Sequence, residues 1–362
     1  MDNRVLMVLS LVVAFFLSFV SVPITRIFAF KFGAIDIPKD NRRMHKVPIP
    51  RMGGLSIYFG FLVSYLCFTP IIEIKDLGII IGGTILVIVG IIDDKYALKA
   101  SVKLLFQVLA ALIPVLLGLR IDFITNVNIF SQGTVMMLGT LSVPITVIWR
   151  IGLTNALNLI DGLDGLAGGI ASISAICLMI VSLSSGRYEM LIPLASIAGA
   201  TLGFLPFNIN PAKIFMGDTG ALFLGYMLAC FSVSGFFKSY AAINFLIPFI
   251  VLGLPIFDTS FAILRRISKG KPIMSPDRSH LHHRLVDAGF SQGQAGGILC
   301  SISGLLSLTA IVLATEGYKR ALLILIVSIA YCFAVKYYVN NKKCEKIFMN
   351  KLEEEKENNN EN

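Results

Sequence analysis

Asp93 and Asp94 stand side by side at the end of an apolar run, and Lys103 follows ten residues after Asp93. Adjacent carboxylates at a membrane edge are expensive to bury. They bind a divalent cation, accept a proton or pair with a lysine; the plainer use is a helix cap beside a solvated lysine. A denser segment, 155–169, reads NALNLIDGLDGLAGG. It offers Asn155, Asn158, Asp161 and Asp164 between apolar residues and glycines. Asp and Asn oxygens are hard ligands suited to Mg²⁺, and glycine lets backbone approach a ligand closely. A tight turn uses the same residue types, but does not need so many polar groups between membrane runs. Segment 208–220 is a Pro-led loop that delivers Lys213, Phe215 and Asp218. Asp218 suits a helix cap. The trio also suits a nucleotide: a cation for phosphate, a ring for base stacking and a carboxylate for metal.

Two basic segments complete the set. Segment 265–284 ends in SHLHHR, so His280, His282 and His283 are three of the chain's four histidines. Zinc needs three or four ligands around one point, which residues this close in sequence do not easily provide. Recognition of phosphate, together with Arg265, Arg266, Arg278 and Arg284, fits better; a plain basic loop is the alternative. Segment 42–54 carries Arg42, Arg43, His45, Lys46 and Arg51, which attract anionic head groups near a membrane. Few activities need both signs of charge together. The combination points to an anionic substrate bridged by Mg²⁺ and held by Lys, Arg and His. Phosphoryl transfer works mostly by positioning and charge neutralisation. The expected reaction moves a phosphoryl-linked group from a soluble nucleotide donor to a lipid phosphate.

The elements that must position these residues are membrane helices. Of 362 residues, 56% are hydrophobic and 15% charged, with mean hydropathy +0.79. Soluble domains carry about 25% charged residues, so a soluble globule, a disordered chain and a disulfide-rich module are excluded. Apolar runs place eleven candidate spans at 5–25, 53–72, 77–92, 104–119, 140–157, 168–184, 190–207, 219–237, 241–264, 294–315 and 319–339. The fold class is therefore all-α and polytopic. Residues 1–341 form one transmembrane catalytic domain, and 342–362 a polar tail expected to be disordered or frayed. The run 5–22 reads as a retained span rather than a removed signal. The six cysteines form no C-x-x-C and read as small buried hydrophobes. Of the 31 Lys and Arg residues behind the net charge of +9, 24 fall on connections after odd-numbered spans, Arg150 counted among them. The positive-inside rule then places the N-terminus outside and the C-terminus in the cytoplasm. Every polar motif falls on that same side. A transporter of a phosphorylated solute is the rival reading, but it would line a path through the membrane with ionisable residues.

The five ordered motifs, spanning about residues 40 to 290, resemble those of the polyprenyl-phosphate N-acetylhexosamine-1-phosphate transferases. Within that family the histidine loop at 277–289 is similar to that of bacterial undecaprenyl-phosphate GlcNAc-1-phosphate transferases, which start teichoic acid, O-antigen and related surface glycans. Leu281 interrupts the histidines, unlike the phospho-MurNAc-pentapeptide branch. The resemblance implies a plasma-membrane enzyme with a cytoplasmic active site, UDP-GlcNAc and undecaprenyl phosphate as substrates, UMP as product, and sensitivity to tunicamycin. Another UDP-N-acetylhexosamine or UDP-MurNAc-pentapeptide is the alternative donor. Membrane lipids are partners, nucleic acid is not, and a homodimer is compatible. Carried over by motif position, Asp218 and Asn158 hold Mg²⁺, with Mn²⁺ as a substitute. Asp93 and Asp94 lie beside the lipid phosphate, one as base or electrostatic organiser. Lys103 contacts the pyrophosphate. Asp161 and Asp164 shape the nucleotide site, with Asp164 near the uracil and Phe215 packed on it. His282, His283 and Arg284 hold donor phosphates or sugar; His280, Asn155, Lys213 and Arg51 complete the substrate-binding set. Attack by the lipid phosphate on the β-phosphorus, or a covalent Asp intermediate, both fit the resemblance.

Overall fold

The structure, a computed structural model, describes residues 2–38, 47–125, 135–237, 242–272 and 280–360. Arg42, Arg43, His45, Lys46 and Arg278, named above as basic candidates, lie outside the described residues. The described residues are 80% helical. In order, the helices are α1 (Asn3–Phe32), α2 (Gly54–Phe68), α3 (Ile74–Tyr96), α4 (Ala100–Leu116), α5 (Ser142–Ile160), α6 (Leu166–Ser184) and α7 (Leu191–Asn208). There follow α8 (Gly217–Ser232), α9 (Ala242–Val251), α10 (Gly253–Ser268), α11 (Leu281–Asp287), α12 (Gln292–Thr315) and α13 (Tyr318–Asn360). Each expected span coincides with helix. Among the described residues, 7 helical stretches are long and apolar enough to cross a membrane, while α2 and α4 are shorter apolar helices.

Burial ranks the helices. In α6 and α7, 78% of the most apolar window is buried inside the protein, against 6% in α13. Helices apolar on every side with small residues throughout belong at the centre, and α6 and α7 read that way: their Ala, Gly and Ser residues let neighbours pack closely. Helix α8 is buried along most of its length between α3, α5 and α2. Glycines set this approach. A Cβ on Gly90 of α3 would lie 2.4 Å from Thr219 Cα, and one on Gly54 of α2 would lie 2.0 Å from Gly220 N. Both clashes are with backbone, which cannot rotate away. Gly90→Ala is expected to cost about 1–3 kcal/mol, the usual range for overpacking. A thermal-unfolding series in detergent checks this, with Gly152→Ala as control because nothing lies within 4 Å of a Cβ there.

Four features refine or add to the sequence reading. First, short strands accompany the helices of the all-α fold. Two short antiparallel ladders occur, β1 (Ile35–Asp36) with β2 (Ile49–Pro50) and β3 (Phe123–Thr125) with β4 (Val135–Met137). Strands of two or three residues leave no readable alternation. Second, the ninth run is two helices, α9 and α10, broken at Leu252. Pro255 has no N–H to give to the carbonyl four residues back, so the ladder cannot run through. Third, Arg150 lies within the fifth run, 140–157, and the structure keeps it there, off the connections with which the cation count groups it. It is fully buried inside α5, where Nη1 donates to Ala111 O at 2.8 Å and Nη2 to Leu119 O at 2.7 Å. It thus ties the body of α4, and the turn that follows it, to α5. Fourth, α13 runs on through the polar tail to Asn360. The tail expected to fray is rich in Lys and Glu and contains no Gly or Pro, so local propensity favours helix. Of the cysteines, Cys177 and Cys230 are buried, whereas Cys67 and Cys332 are exposed.

Candidate active site

The site forms where the ends of α3 and α5 meet the starts of α4 and α8. Asp94, 7% exposed, lies against the first turn of α8. Its Oδ1 accepts from Asp218 N at 2.9 Å; its Oδ2 accepts from Thr219 N at 3.2 Å and Thr219 Oγ1 at 2.7 Å. An acid from one helix thereby satisfies orphan N–H groups of another and meets the positive end of its dipole. Gly217 makes room for it: its φ is +70°, and a Cβ would sit 2.4 Å from Asp94 Oδ2. Asp94 is committed to holding α8 in place.

Asp93 has a different role. Its Oδ1 accepts from Leu98 N at 2.6 Å and its Oδ2 from Lys103 Nζ at 2.9 Å. Lys103 Nζ also donates to Asp218 Oδ2 at 2.8 Å, and Asn158 Nδ2 donates to Asp218 Oδ1 at 3.2 Å. Asp93, Lys103, Asp218 and Asn158 therefore form one continuous polar chain across four helices. Arg51 Nε stands 3.8 Å from Asp94 Oδ1. Its backbone is tied down on two sides: Arg51 N donates to Ala34 O, and the neighbouring Pro50 O accepts from Phe215 N, both at 2.9 Å. The same contacts hold Phe215 near Arg51.

Beside this chain lies a cavity of about 270 Å³. Of the expected residues, Arg51, Asn158, Asp161, Asp164, Phe215, Asp218 and His283 line it. Burial, and after it the Asp218 carboxylate, pushes Asp161 up to about 7, with Arg51 pulling the other way. Asp164 Oδ2 accepts from Asn210 Nδ2 at 2.9 Å and Ala212 N at 3.0 Å, so it fastens the 208–213 loop to the turn after α5. Among the described residues, no three His, Cys, Asp or Glu gather in a way that could hold a metal ion. Any cation here has to draw ligands from amides or from its substrate as well.

The histidine arm approaches from α10 and α11. Asp258 of α10 places Oδ2 2.8 Å from His280 Nδ1 and accepts from Leu281 N through Oδ1 at 2.9 Å. A carboxylate only accepts, so this bond puts a proton on Nδ1 and fixes the ring. The rings then run inward: His280 stacks on His282 at 5.8 Å, and His282 meets His283 at 4.2 Å. His282 is buried, and a Cβ on Gly162 would lie 2.2 Å from its Nε2. Burial, with His283 beside it, holds His282 down to about 4, so it is neutral at pH 7. Its buried Nδ1 has no partner. His283 alone of the three reaches the cavity wall.

The remaining candidates stand elsewhere. Asn155 pairs with Gln107, giving Nδ2 to Oε1 at 2.6 Å and taking Nε2 at 3.2 Å on its Oδ1. Lys213 faces a separate groove, and Arg284 is exposed on α11. Sequence reasoning missed Asp36 and Gln292, which line the cavity, and Asp258. For Asp258 a signal existed: it is the only acid in the run 241–264, and a lone carboxylate in a membrane segment is costly unless it serves something. Asp258→Asn is expected to loosen the arm and to reduce turnover by about tenfold, with less change in KM, whereas Asp258→Glu recovers part of it. Steady-state kinetics of the purified variants check this; equal loss in both variants would count against a positioning role.

Fold and site together define a polytopic helical membrane protein with a polar cavity, at one end of its helices, that presents both carboxylates and cations. The chain belongs to glycosyl transferase family 4, whose profile matches residues 77–236. It is 42% identical over 335 residues, 91% of this chain and 92% of the relative, to the probable undecaprenyl-phosphate N-acetylglucosaminyl 1-phosphate transferase of Bacillus subtilis. It is 33% identical over 297 residues, 75% of this chain and 73% of the relative, to the decaprenyl-phosphate N-acetylglucosaminephosphotransferase of Mycolicibacterium smegmatis. The phospho-N-acetylmuramoyl-pentapeptide-transferase of Halalkalibacterium halodurans is 32% identical over 335 residues, 86% of this chain and 98% of the relative.

Proposed function

We propose that the chain transfers GlcNAc-1-phosphate from UDP-GlcNAc to undecaprenyl phosphate and releases UMP, at the cytoplasmic face of the plasma membrane. The observation that carries this reading is the polar chain from Asp93 through Lys103 and Asp218 to Asn158, bordering a cavity that also holds Arg51, Phe215 and His283. Anionic donor and anionic acceptor need cations at the same place as the carboxylates that order them. The donor is the GlcNAc type because Leu281 separates the histidines and because the Bacillus relative shares more residues with this chain than the pentapeptide-transferase does. The lipid-linked product would start a cell-surface glycan such as teichoic acid or O-antigen. Eleven spans, with the N-terminus outside and the C-terminus inside, fit the excess of cations on odd connections once Arg150 is set aside.

Mg²⁺ suits the site, with Mn²⁺ as a substitute. Asp218 and Asn158 put hard oxygens on one cavity wall, and Asn158, with Nδ2 given to Asp218, keeps its amide oxygen unengaged among the described residues. Mg²⁺ typically takes one or two carboxylates and completes its shell from substrate phosphates and water. When bound, it neutralises the diphosphate and the leaving UMP. Phe215 stacks on the uracil, and Asp161 with the Asp164-fastened turn bounds the nucleotide end. Arg51 and His283 hold donor phosphates. Lys103 fixes Asp93, which orders the acceptor phosphate, at a set distance from Asp218. The acceptor oxygen forms its bond to the β-phosphorus as the bond to the UMP oxygen breaks.

Purified full chain in vesicles with undecaprenyl phosphate, supplied with a panel of UDP-sugars, tests the reading. UMP release with UDP-GlcNAc is expected. Comparable release with UDP-MurNAc-pentapeptide overturns the donor, and solute uptake without UMP release overturns the reaction class.

A further inference from the structure

A second cavity, about 430 Å³, flanks the same loop as the active-site cavity. Lys213 and Ile214 line it, whereas Phe215 and Met216 line the first. Its other walls are Phe207, at the end of α7, and α1 residues that include Val22, Arg26 and Phe30. The adjoining surface of α1 is apolar and open: Ile24 is 67% exposed and Ile27 59%. Two cations thus stand over an apolar trough. The Arg26 guanidinium lies 5.9 Å from the Phe30 ring centroid, and among the described residues no carboxylate pairs with Arg26 or Lys213.

We propose that this groove seats an anionic phospholipid of the bilayer, its phosphate between Arg26 and Lys213 and its chains along α1 and Phe207. Cations placed at the rim of apolar surface match a phosphate diester with acyl chains. A soluble phosphate ester would gain nothing from the apolar walls. The transferase acceptor fits less well, because Phe215 and Met216, the next residues of the loop, line the active-site cavity and not this groove. The seat also has a mechanical consequence. Lys213 N donates to Phe207 O at 2.8 Å and Phe215 N to Pro50 O at 2.9 Å, so a lipid on Lys213 braces the loop that carries Phe215 and Asp218.

Native mass spectrometry of the full chain in detergent, titrated with phosphatidylglycerol and phosphatidylcholine of matched chains, tests the seat. Phosphatidylglycerol is expected to be retained about tenfold better, the order that two cations near a charged head group provide. The double variant Arg26→Gln/Lys213→Gln should bind both lipids equally, while Arg26→Lys, which keeps the charge, retains the preference. Equal retention of both lipids by the unmodified chain overturns the proposal, as does an unchanged preference in the double variant. Displacement of phosphatidylglycerol by equimolar undecaprenyl phosphate assigns the groove to the acceptor and also overturns it.

Discussion

Asp218→Asn is expected to lower the rate of UMP release by about 10³-fold, the scale lost when a group aimed at transition-state charge is removed. The substitution keeps the shape of the side chain and removes its charge. Asp218 accepts from Lys103 on one oxygen and from Asn158 on the other. An amide there must turn its NH₂ toward one of these donors, so a hydrogen bond is lost. The negative charge that Asp218 presents to the cavity is lost with it. The cost in stability should stay near 1–3 kcal/mol, the range for a partner left unsatisfied, because Asp94 and the first turn of α8 still engage through backbone. Release rates as a function of Mg²⁺ concentration, with thermal unfolding measured in parallel, separate the two effects. A variant that keeps wild-type turnover at wild-type Mg²⁺ demand would remove Asp218 from the mechanism.

Lys103→Met should hurt both activity and stability. The ammonium is the bridge between Asp93 and Asp218, whose side chains are only 9% and 16% exposed. Methionine fills similar space but leaves two recessed carboxylates facing each other without a counter-charge. Breaking a buried ion pair by removing one partner costs about 3–5 kcal/mol. Lys103 itself is 25% exposed, so solvent screening places the expected loss at the low end, about 2–3 kcal/mol. Turnover should fall by about 10²-fold as the carboxylates move apart. High salt should recover part of the stability but little of the turnover, since ions screen repulsion without restoring geometry. Thermal unfolding across a salt series reads the first quantity and UMP release the second. A variant as stable as the parent at low salt would show that Lys103 does not bridge the pair.

Much of this site was readable before any coordinate. The carboxylates and amides of 155–169, the Phe215–Asp218 loop and the histidines announce themselves because polar groups are rare between apolar runs, and a membrane makes each one costly. Their partners were harder to find. Asp94 and Asp93 are neighbours in sequence and look equivalent, yet one caps α8 and the other holds Lys103. Lys213 and Phe215 are two residues apart and face different cavities. Asp36 lies next to a basic stretch and Asp258 in an apolar run, and neither belongs to a motif.

Composition and apolar periodicity by themselves determined the membrane class, the order of the helices and the residue types that gather to handle phosphate. They do so because hydrophobic segregation acts on each segment independently of its neighbours. Which helix ends meet, which oxygen of which carboxylate is occupied, and which histidine reaches the cavity were decided only by tertiary structure. Those outcomes depend on the close approach that Gly54, Gly90 and Gly217 allow around the start of α8, and on the break before α10 that brings Asp258 to His280. These are distances between segments far apart in the chain, and no local pattern records them.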